Sequence, residues 1–194
     1  MLQSYAQSIK KGDPQICNNY RGISLLNVVY KILSYCILDR VKHIAEEILG
    51  DYQGGFRPNR STTDQIFSLR QIIEKSWEFN KSICILFVDF KKTYDSVHRH
   101  SFINILKEFE LPNKLINLIE ATLQNTKIKI KVASELLEPA TVRTGLRQGD
   151  ALSPILFNFI LEKVIRETNC NNGIGKLEHK YLGLCGRYSD IRRN

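Results

Sequence analysis

One aspartate, Asp89, ends the uninterrupted apolar run Ile83 to Val88 within FVDFKKTYDSV. A carboxylate at the tip of a buried strand points into whatever cleft opens beyond the sheet. Nucleotidyl transfer needs such an oxygen ligand for Mg²⁺, which prefers carboxylates plus substrate oxygens. The same position suits an aspartate that caps the following turn, and residue type and place leave the two readings even. Asp95 falls near an expected helix start, where capping is its natural role. In GFRPNRST, Arg57 and Arg60 carry planar guanidinium forks that match phosphate oxygens, and Gly54 and Gly55 let the backbone come close. Solvated loop arginines are the plainer alternative. Gln148 and Gly149 in RQGDALSP join an amide that donates and accepts to a residue that leaves room for a ligand, with Asp150 and Ser153 placed to cap the next helix. Lys127, Lys129 and Lys131 alternate along one face of an expected strand, where they would either follow a nucleic-acid backbone or simply be solvated.

Regular elements must hold these groups. Val29, Ile32, Leu33, Cys36, Ile37, Val41, Ile44 and Ile48 recur every three or four residues, which predicts one long amphipathic helix ending before Gly50. A second helix is predicted from about Thr62 to Phe79, capped by Ser61 or Thr62, with Ile66, Leu69, Ile73 and Trp77 along one side. Two glycines, a proline and two arginines make residues 52–62 between them a shaped loop. Ile83 to Val88 predicts a strand buried on both faces. Two helices follow, one carrying Phe102, Ile105, Leu106 and Phe109, the next starting after Pro112 with Leu115, Leu118, Ile119 and Leu123. Lysine then alternates with Ile128, Ile130 and Val132, the mark of a half-buried strand, and Ala140 to Thr144 is its expected hairpin partner. Pro154 opens a last, deeply buried helix. Interleaved helices with few strands, two of them antiparallel, define an α+β fold.

Composition agrees with a folded chain that meets a polyanion. Of 194 residues 43% are hydrophobic, enough to bury a core, and 28 Lys plus Arg against 20 Asp plus Glu leave a net charge of +8. Five cysteines (Cys17, Cys36, Cys84, Cys170 and Cys185), odd in number and without a CxxC pair, argue against a disulfide framework or a zinc site and for a reducing compartment, nucleus or cytoplasm. No apolar run approaches the roughly 18 residues of a membrane span, so a soluble protein with no membrane partner is expected.

Taken in order, NNYRGISLLNVVYKILSYCILDRVK, QGGFRPNRSTTDQI, LFVDFKKTYDSV and TGLRQGDALSPILFNFILE resemble four blocks of the reverse transcriptases of non-LTR, LINE-like retrotransposons. The resemblance runs from about Lys10 to Gly183. It implies a right-hand polymerase, with residues 14–80 fingers-like, 81–183 palm-like and the thumb absent. It also implies an RNA template, a DNA primer, deoxynucleoside triphosphates and Mg²⁺ as partners. Asp89 becomes the first catalytic metal ligand. Tyr94 becomes the aromatic gate that rejects a 2′-hydroxyl, Gln148 and Gly149 part of the nucleotide pocket, and Arg57, together with Arg60, a neighbour of the incoming triphosphate or template. A strand is expected before KKGD. Group II intron maturases share the palm, but the NNYRGISLLNVVYKIL block is closer to LINE-like elements.

The family's Tyr-Ala-Asp-Asp motif, its second metal-binding segment, should follow HKYLG, yet the sequence reads LCGRYSDIRRN, with Asp190 its only acidic residue. Skipping one base at Leu184, with a permitted choice of synonymous codons, yields Tyr-Ala-Asp-Asp-Ile-Val-Ile-Leu-Gly-Glu. Residues 184–194 are therefore expected to be out of frame, and the chain as written to be an inactive polymerase fragment. The alternative is a non-catalytic relic of a retroelement that binds nucleic acid through its basic surface.

Overall fold

The computed structural model describes residues 2–9, 13, 15, 16, 19–90, 92–132 and 135–170. The divergent tail, Asp190 included, lies outside the described residues. The elements in chain order are β1 (Leu2–Ile9), β2 (Tyr20–Leu25), α1 (Val28–Ile48), α2 (Thr62–Glu78), α3 (Arg99–Glu108), α4 (Asn113–Leu123), β3 (Thr126–Val132), β4 (Glu135–Leu136), β5 (Ala140–Val142) and α5 (Ser153–Cys170). They form a mixed fold of helices and one small sheet, in keeping with α+β.

The chain divides into two compact units, residues 1–48 with 91–160 and residues 49–90 with 161–194. The first unit holds the sheet, in the order β2-β1-β3-β4 with β5 also on β3. β1 runs antiparallel to β2, from Ser4 opposite Leu25 to Ile9 opposite Tyr20, and parallel to β3, from Leu2 beside Lys127 to Tyr5 beside Ile130. The expected hairpin is present, with Thr126 opposite Val142 and Ile128 opposite Ala140. The strand expected before KKGD is β1. β2 was not foreseen, because YRGISL carries no clean alternation and becomes a strand through pairing with β1.

Four helices supply the core of this unit. Phe102 and Leu106 of α3, Ile116 and Ile119 of α4, Ile37 and Val41 of α1, and Leu156 and Phe159 of α5 are all within 2% of complete burial. Burying each such side chain contributes about 1.5–3 kcal/mol. α3 and α4 occupy the predicted places. The cap of α3 is His98, whose ring nitrogen accepts from the Ser101 amide at 3.4 Å, and not Asp95, which sits too early in the preceding turn.

α1 has the predicted length, and its buried face keeps Ile37 and Val41 of the predicted stripe but not its first members. Val29, Ile32, Leu33 and Cys36 are exposed, whereas Tyr30, Ser34, Ile37, Leu38, Val41 and Ala45 are buried. In its first turns the buried residue is Tyr30, whose hydroxyl is hydrogen-bonded as described below, as a buried polar group requires.

In the second unit α2 begins at the predicted cap, Ser61 Oγ accepting from the Thr63 amide at 3.1 Å. Its expected apolar side is only partly covered, with Leu69 and Ile73 half-buried and Ile66 and Trp77 exposed, while its buried residues are Gln65 and Ser76. The largest departure is the Ile83 to Val88 strand. Residues 81–90 have no regular secondary structure and all are exposed. An apolar run becomes a strand only where neighbouring backbone pairs with it. None does so among the described residues, and the place after HKYLG where the Tyr-Ala-Asp-Asp motif is expected lies outside them.

Candidate functional site

The loop from Thr144 to Asp150, between β5 and α5, gathers three distant stretches of the first unit. Gly145 has φ +84°, and a Cβ there would lie 3.0 Å from the Tyr94 carbonyl oxygen and from the Asp95 backbone. Only glycine combines that conformation with that approach. Its amide donates to the Val97 carbonyl at 2.8 Å, and the Leu146 amide donates to the Tyr94 carbonyl at 2.8 Å. The Tyr94 ring meets Phe157 of α5 edge-on, with centroids 5.7 Å apart. On the loop's far side the Ser24 amide of β2 donates to the Gln148 carbonyl at 2.8 Å, and a Cβ on Gly149 (φ +103°) would lie 3.1 Å from the Ser24 carbonyl oxygen. Tyr94, Gln148 and Gly149 thus share one hydrogen-bonded framework.

Beneath the loop is a buried polar network. Arg147 Nη1 donates to Tyr30 Oη at 2.7 Å, and Nη2 donates to the Thr122 carbonyl and to Thr126 Oγ1, the latter at 3.1 Å. The guanidinium also lies 4.9 Å from the centre of the Tyr30 ring, within cation–π range. The Tyr30 hydroxyl donates to Asp150 Oδ2, and Asp150 Oδ1 accepts from the Leu152 amide at 3.1 Å. Burial, and next the adjacent Asp150 carboxylate, push the Tyr30 phenol far above its ordinary value of 10.0, against the opposing pull of Arg147. Asp150 therefore serves this network rather than standing at the N-cap of α5. Ser153 Oγ donates to the Arg147 carbonyl at 2.6 Å.

Arg99 of α3 supports the same loop. Its Nε donates to the Gly145 carbonyl at 2.9 Å, and its Nη1 to the carbonyls of Leu123 (2.5 Å) and Val142 (3.0 Å). Two guanidiniums therefore satisfy carbonyls at the C-terminus of α4, where cations are favoured by the helix dipole. Asp95, Arg99, Thr126, Gly145 and Arg147 line a cavity of about 220 Å³. Sequence reasoning missed Tyr30, Arg99 and Arg147. The available signal was Arg147 itself, a cation directly beside the Gln148 and Gly149 already singled out.

In the second unit the two loop arginines differ. Arg57 is buried, with Nη1 directed at the carbonyls of Gly50 (2.7 Å), Leu49 (3.3 Å) and Gln53 (3.4 Å). Arg60 is exposed and pairs with Asp51 at 2.5 Å. Gly54 packs against Gln65, where a Cβ would come within 2.8 Å of Cγ. The loop is closed by Glu162, a buried carboxylate that accepts from Tyr52 Oη at 2.7 Å, the Gly50 amide at 3.1 Å and Arg166 Nε at 2.7 Å.

Asp89 belongs to this second unit and is exposed within the irregular 81–90 segment. Among the described residues no group of three or more His, Cys, Asp or Glu side chains could hold a metal ion. The described residues thus do not by themselves fit a two-metal centre. Of the lysine row, Lys127 is exposed and Lys129 half-buried, while the Lys131 side chain lies outside what is described.

Comparison with known proteins gives the arrangement a context. A family model described as reverse transcriptase (RNA-dependent DNA polymerase) matches residues 9–183. The chain is 28% identical over 152 residues to a probable RNA-directed DNA polymerase from transposon BS of Drosophila melanogaster, covering 77% of the chain and 17% of that protein. It is 27% identical over 154 residues to a retrovirus-related Pol polyprotein from the type-1 retrotransposable element R2 of Nasonia vitripennis, covering 79% and 15%. It is also 27% identical over 153 residues to the transposon TX1 uncharacterized 149 kDa protein of Xenopus laevis, covering 79% and 12%. The chain spans less than a fifth of the length of each of these three relatives.

Proposed function

The chain belongs to the reverse transcriptase (RNA-dependent DNA polymerase) family, and from that membership we propose that it is a stretch of a non-LTR retrotransposon polymerase that extends a DNA primer on an RNA template. The match over residues 9–183 carries this reading. The loop that ties Gln148 to Ser24 and Leu146 to Tyr94 supports it, because it links three of the four sequence blocks on which the resemblance rests. Residues 14–80 correspond to fingers and 81–183 to palm, with residues 184–194 out of frame.

Within that reading Tyr94, Gln148 and Gly149 meet the deoxynucleoside triphosphate. Of the two loop arginines Arg60 is the better candidate for a phosphate, since Arg57 Nη1 is directed at backbone carbonyls. Lys127, Lys129 and Lys131 follow nucleic acid. Divalent metal use is general to the family, and Asp89 is assigned as a Mg²⁺ ligand by its motif position alone. No helix among the described residues is long and apolar enough to cross a membrane, and nucleus or cytoplasm is the proposed compartment.

Primer extension on an RNA template with Mg²⁺ tests the reading in three proteins: the chain as written, the chain with its tail in the frame that restores Tyr-Ala-Asp-Asp, and Asp89→Ala in that restored chain. Incorporation is expected from the restored chain alone. Asp89→Ala should lower it by about a hundred-fold or more, because metal stabilisation of the transferring phosphoryl group is worth several kcal/mol. Equal incorporation with and without Asp89 would remove it as a catalytic residue. The exposure of Asp89 and the charge of +8 favour a second reading for the chain as written, a relic that binds nucleic acid without synthesis. Salt-dependent RNA binding by a protein that incorporates nothing is its signature.

A further inference from the structure

The Gln148–Gly149 peptide sits between two buried ionic residues. Arg147 and Asp150 are 4% and 6% exposed, whereas Gln148 is half-buried and Gly149 is exposed. Residues 147 and 150 therefore anchor the turn inward while residues 148 and 149 face outward. Burying a guanidinium and a carboxylate is costly unless their geometry is well satisfied, and such networks are best retained where one arrangement must be selected. Here the bridge between the two anchors is a single hydroxyl. Tyr30 Oη accepts from Arg147 and donates to Asp150, while the two charges themselves are 4.0 Å apart. The far ends are also held, by Thr126 Oγ1 on one side and the Leu152 amide on the other.

We propose that Arg147, bridged through the Tyr30 hydroxyl to Asp150, is a positioning residue that sets the Gln148–Gly149 peptide at the angle at which it meets a nucleotide. The proposal rests on the reading that this peptide belongs to a nucleotide pocket. It assigns to Tyr30, a residue of the first helix with no place in that pocket, a measurable effect on nucleotide affinity. Tyr30→Phe is the sharpest perturbation, since it keeps the ring under the guanidinium and removes only the shared hydroxyl. Asp150→Asn is the milder one, because its amide oxygen can still accept one hydrogen bond.

Two measurements on the full chain decide it. The first is amide hydrogen exchange at Ser24 and Leu146, whose N–H groups donate to Gln148 and Tyr94 and report the loop's seating. Tyr30→Phe is expected to speed both by about ten-fold, with protection in α3 unchanged and Asp150→Asn intermediate. The second is calorimetric titration with deoxyadenosine triphosphate and Mg²⁺. Tyr30→Phe and Gln148→Ala should each weaken binding, the former by about ten-fold.

Wild-type exchange at Ser24 and Leu146 in Tyr30→Phe would overturn the proposal. So would faster exchange with unchanged nucleotide affinity, provided that Gln148→Ala does lose affinity. If Tyr30→Phe also loses protection in α3, Asp150→Asn decides by the same two amides. Unchanged affinity in Gln148→Ala would instead refute the nucleotide pocket, and the two amides would still judge the clamp.

Discussion

The loop 144–150 and the segment 81–90 both come from blocks that point to polymerase chemistry, and the structure treats them in opposite ways. The loop has little regular structure, yet it is held by backbone hydrogen bonds to Tyr94, Val97 and Ser24 and by a buried Arg147, Tyr30 and Asp150 network. The segment has the stronger apolar signal, yet every residue in it is exposed. Short-range polar pins define a conformation wherever their partners are present. A hydrophobic strand is defined only by what covers it, so its sequence can be read correctly for composition and still carry no local structure.

Truncation of leucines separates the two regions by the largest margin. Leu106, fully buried in α3, should cost about 2–5 kcal/mol as Leu106→Ala, whereas Leu86, 86% exposed, should cost no more than about 0.5 kcal/mol as Leu86→Ala. Denaturant titration of the two variants measures both. A Leu86→Ala cost as large as that of Leu106→Ala would mean that residues 81–90 are covered in solution and that the expected strand exists.

Gly145→Ala tests the loop side. With φ +84° and a Cβ placed 3.0 Å from Asp95 and Tyr94 backbone atoms, it should destabilise by about 1–3 kcal/mol. A neutral Gly145→Ala would show the loop to be looser than its hydrogen bonds imply.

Ionisation of Tyr30 gives a smaller, pH-gated effect. Its pKa is raised in the fold, so the neutral hydroxyl is the folded form, and its contribution is fully present below the unfolded value of 10.0. That contribution is lost as pH climbs above 10.0 toward the raised folded value, because only the unfolded chain then ionises. Urea titrations from neutral pH to about pH 11 should show stability falling above about pH 10 more steeply in the wild type than in Tyr30→Phe. Parallel curves would remove the phenol from the clamp.

The smallest stability effect is expected at Arg60, whose ion pair with Asp51 is exposed and worth about 1 kcal/mol or less. Arg60→Ala should instead act on binding, making the dependence of log affinity for single-stranded RNA on log salt shallower by about 0.7. An unchanged slope would mean that Arg60 meets no phosphate.

Much of the architecture was legible in the residues. The spans of α1 and α2, the places of α3 and α4, the start of α5, the β3 and β5 hairpin and the Ser61 cap follow from periodicity, proline placement and side-chain chemistry, all of which act over one or two turns of chain. The family was legible too, because four ordered blocks carry it. Which face the first turns of α1 bury was not, since the partners that meet Tyr30 there, Arg147 and Asp150, lie more than 110 residues away in sequence. The parting of Arg57 from Arg60 was equally hidden. Both read as phosphate-binding guanidiniums, and only the carbonyls of Leu49, Gly50 and Gln53, converging once the chain has folded, draw one of them into the interior.

What the amino-acid sequence determined alone was the local and the cumulative: where helices begin and end, a basic surplus, and membership in a polymerase family. Tertiary structure decided which polar groups are buried, which apolar groups are covered and which loop is pinned by hydrogen bonds. Burial and hydrogen-bond satisfaction depend on partners that no local stretch of chain contains.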